Sequence, residues 1–240
     1  MITNQGSGTR VDEVASGIYR ISTPFSGVPG GFSFNQYLIV DEEPLLFHTG
    51  LRHSFPVVSE AVAAVMPLHR LRHICFSHYE ADECGALNEF LAVAPHAAPL
   101  CDKIAALVSV GDMADRPPRT LEDGEVVALG ARRVRWLSTP HLPHGWECGF
   151  LFEETTQTLF CGDLFTQGGD KHPAVTDGDI LEPSEAFRAQ LDYFSHCKNA
   201  PALVERLAAT NPNTLACMHG PAWRGDGASL LRALGTRLAP

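Results

Sequence analysis

Short apolar runs, separated by turn residues, dominate the first third of the chain. Runs at 17–22, 34–40 and 45–49 are rich in aromatic and β-branched residues and lie between Gly, Pro and acidic turns, so they predict strands. Residues 55–66 carry apolar side chains at helical spacing and predict an amphipathic helix. The apolar run 71–77 predicts a further, buried strand.

The rest of the chain alternates strand-like and helix-like patterns. They predict a helix at 85–93, a βα unit at 97–109, two strands within 120–137, a hairpin at 150–160, helices at 185–195 and 202–210, a strand at 214–218 and a helix at 229–238. We see no linker and no short repeat, so we expect one α/β domain over residues 1–240. Two sheets packed face to face, with helices outside, is the arrangement that this pattern favours.

Composition narrows the class of protein. The chain has 240 residues, of which 45% are hydrophobic and 19% charged, as in an ordinary globular protein. Its formal charge of −10 argues against nucleic acid or an anionic membrane as a partner. The N-terminus lacks an apolar signal segment, and no run approaches the roughly 20 apolar residues of a membrane span. Seven scattered cysteines without a C-x-x-C pair predict reduced thiols in a cytoplasmic protein.

Residues of the types that bind metals follow the predicted strands. One cluster lies directly after the run 71–77, and three further residues each follow a strand-like run of their own. The cluster comprises His78, Glu80, Asp82 and Glu83, and the three others are His144, Asp163 and His219. Because these positions all come at strand ends, we expect one edge of a sheet to hold a dinuclear metal site.

The spacing within the cluster has a geometric consequence. In an extended loop alternate side chains point to the same side, so His78, Glu80 and Asp82 can converge while Tyr79 and Ala81 turn away. Asp163 stands alone after its strand and is well placed to bridge two metals about 3.5–4 Å apart. We therefore expect Asp163 to be shared between two ions.

The order of these residues resembles the metallo-β-lactamase superfamily. Supporting phrases, spread over nearly the whole chain, are FNQYLIV at 34–40, EDGE at 122–125, STP at 138–140, FCGD at 160–163 and MHGP at 218–221. Hydrolases of that superfamily usually carry His-x-His-x-Asp-His. The string His-x-Glu-x-Asp at 78–82 is instead similar to the diiron domain of flavodiiron proteins and their stand-alone oxygen-binding relatives. The resemblance implies a four-layer αββα sandwich.

The resemblance also implies which residues bind each of two metal ions. It assigns one ion to His78, Glu80, His144 and the bridge Asp163, and a second to Asp82, Asp163 and His219. The family pattern carries another histidine where this chain has Glu83. Glu83 is open to three interpretations, namely a direct ligand, the holder of a bound water, or a cap for the following helix.

Charge bears on which metal is bound. Glu80, Asp82 and Asp163 contribute −3 and Glu83 would make −4, against +4 from two divalent ions. A zinc hydrolase needs residual positive charge to acidify its bound water. A carboxylate-rich site stabilises the ferric state and suits cycling between Fe(II) and Fe(III). Iron is therefore favoured, with manganese and zinc as alternatives, and no flavin is expected in this chain.

Several nearby residues compete for a place at the site. His141 competes with His144, which we prefer because a Trp-acid pair follows it; His48 either orients a ligand or sits at the edge of the core. His172 lies in a glycine-rich loop near Asp163 and could reach a substrate, and Cys84 stands beside the cluster. The aromatic residues Tyr79 and Trp146 flank ligands, and we expect them to wall the site against water.

Two functions follow from these expectations. The first is a non-haem diiron oxidoreductase or sensor that binds or reduces O₂, NO or peroxide, with a separate electron-transfer protein or a signalling partner. The second is a metal-dependent hydrolase of an ester, lactone or phosphoester, in which Asp82 accepts a proton. Both take a small molecule and neither needs nucleic acid or a membrane. The sequence leaves open whether the chain forms a homodimer.

Overall fold

Two sheets form the centre of the computed structural model, which describes residues 1–239. The first sheet has eight strands in chain order: β1 Ile2–Asn4, β2 Thr9–Ala15, β3 Ile18–Phe25, β4 Phe32–Ile39, β5 Leu45–Phe47, β6 His73–Cys75, β7 Ala98–Asp102 and β8 Arg119–Leu121. The second has seven, in the order β13-β15-β14-β12-β11-β10-β9: β9 Val126–Ala128, β10 Arg133–Ser138, β11 Gly149–Glu153, β12 Thr158–Gly162, β13 Val175–Thr176, β14 Thr214–Cys217 and β15 Ala222–Arg224.

Helices connect the strands. They are α1 Phe55–Ala63, α2 Ala81–Cys84, α3 Leu87–Val93, α4 Lys103–Ala105, α5 Gly111–Met113, α6 Leu181–Leu191, α7 Ala200–Ala208 and α8 Gly227–Arg237. A π-helical stretch, Ala106–Val110, joins α4 to α5, and short 3-10 turns occupy Arg52–Ser54 and Leu68–Arg70. Among residues 1–239, no helix is both long and apolar enough to cross a lipid bilayer.

Three clusters of buried apolar side chains hold four layers together. Between the sheets, the ring of Phe160 on β12 lies 5.2 Å from that of Phe47 on β5 and 5.7 Å from that of Tyr37 on β4. A second cluster packs α1 and α3 on the outer face of the first sheet, and a third packs α6, α7 and α8 on the outer face of the second. Each sheet thus buries one face against the other sheet and its opposite face against helices. The expected αββα sandwich is therefore confirmed.

Most predicted strands and helices are present in the structure, but the residues at which they begin and end often differ. The strands β1, β2, β8, β13 and β15 were not predicted, and β2 alternates charged with apolar residues as a partly exposed strand does. The helix predicted at 185–195 is α6, which begins earlier, at Leu181, with Pro183 in its first turn. A proline is tolerated there because the first helical N–H groups have no partner within the helix. The single domain over 1–240 stays a prediction.

Sheet direction places several loops at one edge. Strands β12 and β14 are parallel, and β10 runs the same way because β11 is antiparallel to both β10 and β12. The loops that follow β10, β12 and β14 therefore lie at one edge of the second sheet. These loops carry His144, Asp163 and His219, and the loop after β6 in the first sheet carries His78.

Candidate metal centre

Four of the predicted ligands form a compact set, which we call the four-donor half. It consists of His78, Glu80, His144 and Asp163, whose donor atoms all lie within 4.8 Å of one another. The Oε2 atom of Glu80 lies 2.9 Å from Nε2 of His78 and 3.1 Å from Nε2 of His144. The Oδ2 atom of Asp163 lies 3.6 and 3.4 Å from the same two nitrogens. Two imidazoles and two carboxylates thus face a common point.

A second set, the three-donor half, shares Asp163 with the first. Nε2 of His219 lies 3.2 Å from Oδ1 of Asp163 and 3.4 Å from Oδ2 of Asp82. Asp163 therefore directs one carboxylate oxygen to each half, which is the arrangement expected of a bridging ligand. The structure brings together six of the seven residues that the sequence predicted, although their roles as ligands stay predictions.

The three histidines are held so that Nε2 faces the shared space. Nδ1 of His144 lies 2.9 Å from the carbonyl oxygen of Tyr193, and Nδ1 of His219 lies 2.8 Å from that of Ser33. Because a carbonyl oxygen can only accept, each Nδ1 carries the hydrogen and leaves a lone pair on Nε2 in the neutral ring. Metal-binding histidines are commonly oriented in this way by their other ring nitrogen. The donor set therefore fits a metal.

Strong electrostatic coupling marks the same residues. Hydrogen bonds from His144 and then His78 lower the pKa of Glu80 to about 2, against its partial burial. Burial acts to lower the pKa of His219, but hydrogen bonds to Asp163 and Asp82 outweigh it and raise the pKa to about 10. Without a metal, protons bridge these histidines and carboxylates, and metal binding would displace those protons.

Glu83 lies outside the two halves. Its buried carboxylate accepts hydrogen bonds from the backbone N–H and the hydroxyl of Ser77, at 3.1 and 2.7 Å, and lies 2.5 Å from Nε2 of His48. The Ser77 hydroxyl in turn lies 3.0 Å from Nδ1 of His78. Of the three interpretations of Glu83, the geometry favours a supporting role over direct ligation, because the carboxylate lies on the Nδ1 side of the His78 ring and contacts that ring through Ser77.

Backbone conformation explains this outcome. The expected extended loop holds as far as Glu80, whose φ of −140° and ψ of 158° are extended, but Ala81–Cys84 is one turn of helix. The prediction that Asp82 reaches the site as an alternate side chain of an extended loop was therefore wrong. Asp82 approaches His219 from a helix, and the same turn directs Glu83 toward His48.

The structure shows which of the residues that competed for a place at the site lie within it. His48 contacts Glu83, the carboxylate that supports His78 through Ser77, and His144 rather than His141 enters the four-donor half. His172 bonds instead to the carbonyl oxygen of Gly168, at 3.0 Å. Burial raises the pKa of the Cys84 thiol to about 12, so it stays protonated, and it donates to the carbonyl oxygen of Glu80 rather than facing the donor set.

The apolar wall beside the site is not the one expected. Tyr79 and Trp146 are 41% and 57% exposed, so they do not exclude water from the site. Instead the ring of Phe32 stacks on that of His219, with 4.4 Å between centroids, and Phe34 meets the same imidazole edge to face at 5.5 Å. No local pattern could have linked these phenylalanines to His219, because 187 and 185 positions separate Phe32 and Phe34 from it in sequence.

The chain is similar in sequence to several known proteins. The chain is 27% identical over 212 residues to an anaerobic nitric oxide reductase flavorubredoxin of Pectobacterium atrosepticum, covering 84% of this chain and 41% of the relative. It is 24% identical over 208 residues to a rubredoxin-oxygen oxidoreductase of Megalodesulfovibrio gigas, covering 82% and 50%. The chain thus spans half or less of the length of these relatives.

Solved structures show the same fold. The flavodiiron protein from Giardia intestinalis superimposes with a TM-score of 0.81 at 19% identity, covering 95% of this chain and 59% of that one. A model of the family described as ODP family beta lactamase matches residues 32–220, which include every candidate ligand. Since the match covers more than half of the sequence, the chain belongs to the ODP family of beta-lactamase-like proteins.

Proposed function

We propose that the chain holds two iron ions and binds or reduces a small oxidant such as O₂, NO or peroxide. The observation that carries this proposal is the bridging position of Asp163, with Oδ2 toward the four-donor half and Oδ1 toward the three-donor half. The names of the relatives, which include a nitric oxide reductase and an oxygen oxidoreductase, support the same class of substrate.

The donor charges favour iron over zinc. Glu80, Asp82 and Asp163 face the shared space, whereas the carboxylate of Glu83 is directed toward His48 and Ser77. Three carboxylates leave little positive charge on two divalent ions, and this favours an ion that gains charge on oxidation. When bound, iron supplies one-electron chemistry toward the oxidant. The chain orients the imidazoles, and Phe32 and Phe34 keep water away from His219.

The electrons need a source. The matched region covers only 41% and 50% of the two relatives, whose names refer to a flavorubredoxin and to rubredoxin. We propose that a separate electron-transfer protein reduces this site, or that the chain acts as a sensor and signals through a partner. The seven cysteines form no disulfide, which supports our proposal of a reducing, cytoplasmic location.

Metal analysis combined with visible spectroscopy tests the proposal. Protein produced with both iron and zinc in the medium should contain two iron ions per chain, and the anaerobic sample should develop an oxo-to-iron charge-transfer band on exposure to air. Two zinc ions and turnover of a chromogenic ester would instead support the hydrolase.

The variant Glu80→His sharpens the same test. It removes one carboxylate from the four-donor half and adds an imidazole, so metal content should shift toward zinc. Exposed Glu42→His is the matched control, and its metal content should equal that of the parent. Unchanged metal in Glu80→His would contradict the charge argument.

A further inference from the structure

A cavity of about 850 Å³ opens beside the metal centre. Two glycine-rich loops, 28–31 and 167–169, form two of its walls, and α6 forms the third. The loops are joined by a hydrogen bond from the N–H of Gly169 to the carbonyl oxygen of Gly31, at 2.9 Å. Binding sites for small organic molecules usually measure roughly 300–1,000 Å³, whereas a diatomic oxidant needs only a small fraction of that space.

Aromatic rings connect the cavity to the metal centre. Phe32 lines the cavity and stacks on the His219 ring with centroids 4.4 Å apart. Phe32 also stacks on Phe187 of α6, with centroids 5.7 Å apart and planes 17° from parallel. Both rings line the cavity, so a flat molecule could extend this stack on the face of Phe187 that points away from Phe32.

Among residues 1–239, the lining is largely apolar and carries no charged side chain. No Asp, Glu, Lys, Arg or His side chain occurs among the described residues that line the cavity. At its rim Leu191 is 63% exposed and Val28 is 42% exposed, so apolar surface remains in contact with water. Exposed apolar surface beside a concave site is typical of a binding site, because covering it releases water.

One polar group at the cavity has no partner. Gln167 is buried, and its Nε2 atom forms no hydrogen bond with any of residues 1–239. An unpaired buried donor is energetically unfavourable, and an oxygen of a ligand could satisfy it. Gln167 is one of the residues that line the cavity, so a rotation of its amide would let it donate to an oxygen on a ligand whose flat part lies along Phe187.

We propose that this cavity binds an uncharged, flat organic molecule that carries a carbonyl or ether oxygen. The cavity's volume, the parallel rings, the absence of charge among its described lining residues and the unpaired amide of Gln167 all favour this class of ligand. The proposal goes beyond the reduction of a small oxidant, since neither O₂ nor NO needs a site of this size or an amide donor.

Fluorescence titration with Prodan, a neutral naphthalene bearing a carbonyl group, tests the proposal on the metal-loaded protein. Binding should be saturable at one molecule per chain, with emission shifted to shorter wavelength, and menadione should compete. Leu191→Arg places a charge at the exposed rim and should weaken binding at least tenfold. Leu107→Arg, at an 81% exposed leucine outside the cavity, is the matched control and should not.

The role of Gln167 is tested by a pair of probes. Gln167→Leu should weaken Prodan several-fold but leave the affinity for 2-dimethylaminonaphthalene, which lacks the carbonyl group, unchanged. Absence of saturable binding, or equal binding by Leu191→Arg and the parent protein, would overturn the proposal. A dimer that dissociates in Leu191→Arg, together with no Prodan binding, would show that a second copy covers this face and would also overturn it.

Discussion

The two halves of the metal centre differ in both donors and surroundings. The four-donor half includes Glu80 and His144, whose side chains are 51% and 27% exposed. The three-donor half has one donor fewer, but its members are more enclosed, with His219 and Asp82 only 5% and 19% exposed. The first half thus depends on the number of its donors, and the second on the rigidity of the structure around His219.

Strand β4 supplies that rigidity. The Asn35 side chain donates to the carbonyl oxygens of Cys217 and Gly220, at 3.0 and 2.8 Å, and Tyr37 donates to Cys217 at 2.8 Å. Arg20 on β3 donates to Gly220 at 2.8 Å. These bonds fix the backbone on both sides of His219. Because the four-donor half offers one donor more, we expect it to bind its ion more tightly than the three-donor half.

The largest effect should come from the shared residue. Asp163→Asn removes a ligand from both halves, so both ions should be lost, each with a fall in affinity beyond the roughly 10–100-fold typical of supporting residues. Metal analysis after dialysis measures this. Asp192→Asn, at a surface aspartate paired with His196, is the control and should keep two ions. Retention of one tightly bound ion in Asp163→Asn would disprove the shared role.

Asp82→Asn should remove one metal ion instead of two. It leaves the four-donor half intact and reduces the three-donor half to Asp163 and His219, so metal content should fall from two ions to one. Anaerobic titration with Fe(II) measures the number of sites. Equal loss of both ions would show that the halves do not bind independently.

Glu83→Gln should act more weakly and on the opposite half. It removes the charge that holds Ser77 and His78, so affinity in the four-donor half should fall roughly 10–100-fold. The measurement is best made on top of Asp82→Asn, where only that half remains filled. Glu89→Gln, at a helix glutamate paired with Arg52, is the matched control. If Glu83 bound the second ion directly, the remaining ion would be unaffected.

The smallest effect concerns the metal-free protein and pH. The pKa of His219 is raised to about 10 by Asp163 and Asp82, which outweigh burial, so its stabilising contribution is complete below its unfolded value of about 6.5. That contribution is lost as pH rises toward 10, at most a few kcal/mol. Urea unfolding at pH 6 and 9 measures it. The metal-loaded protein should change less, and a metal-free protein equally stable at both values would contradict the pairing.

The sequence predicted the residues of the centre better than their arrangement. Ligand types at strand ends identified His144, Asp163 and His219, because parallel strands bring their following loops to one edge. The orientation of Glu83 could not be predicted, since it depends on a single helical turn and on His48, 35 positions earlier in the chain.

For the fold, too, local patterns could be predicted and contacts between distant residues could not. Apolar runs predicted the buried strands. Strand β2 was not predicted, because alternating charges are equally typical of an exposed loop. Contacts between distant segments, such as Phe32 against His219, leave no local pattern at all. Long-range packing therefore had to come from the structure.

Mössbauer spectroscopy of protein loaded with ⁵⁷Fe(II) under anaerobic conditions tests the central claim most directly. Two unequal halves that share Asp163 predict two quadrupole doublets of equal area, and Asp82→Asn should remove one of them. A single iron environment in the parent protein, or no bound iron, would contradict the account.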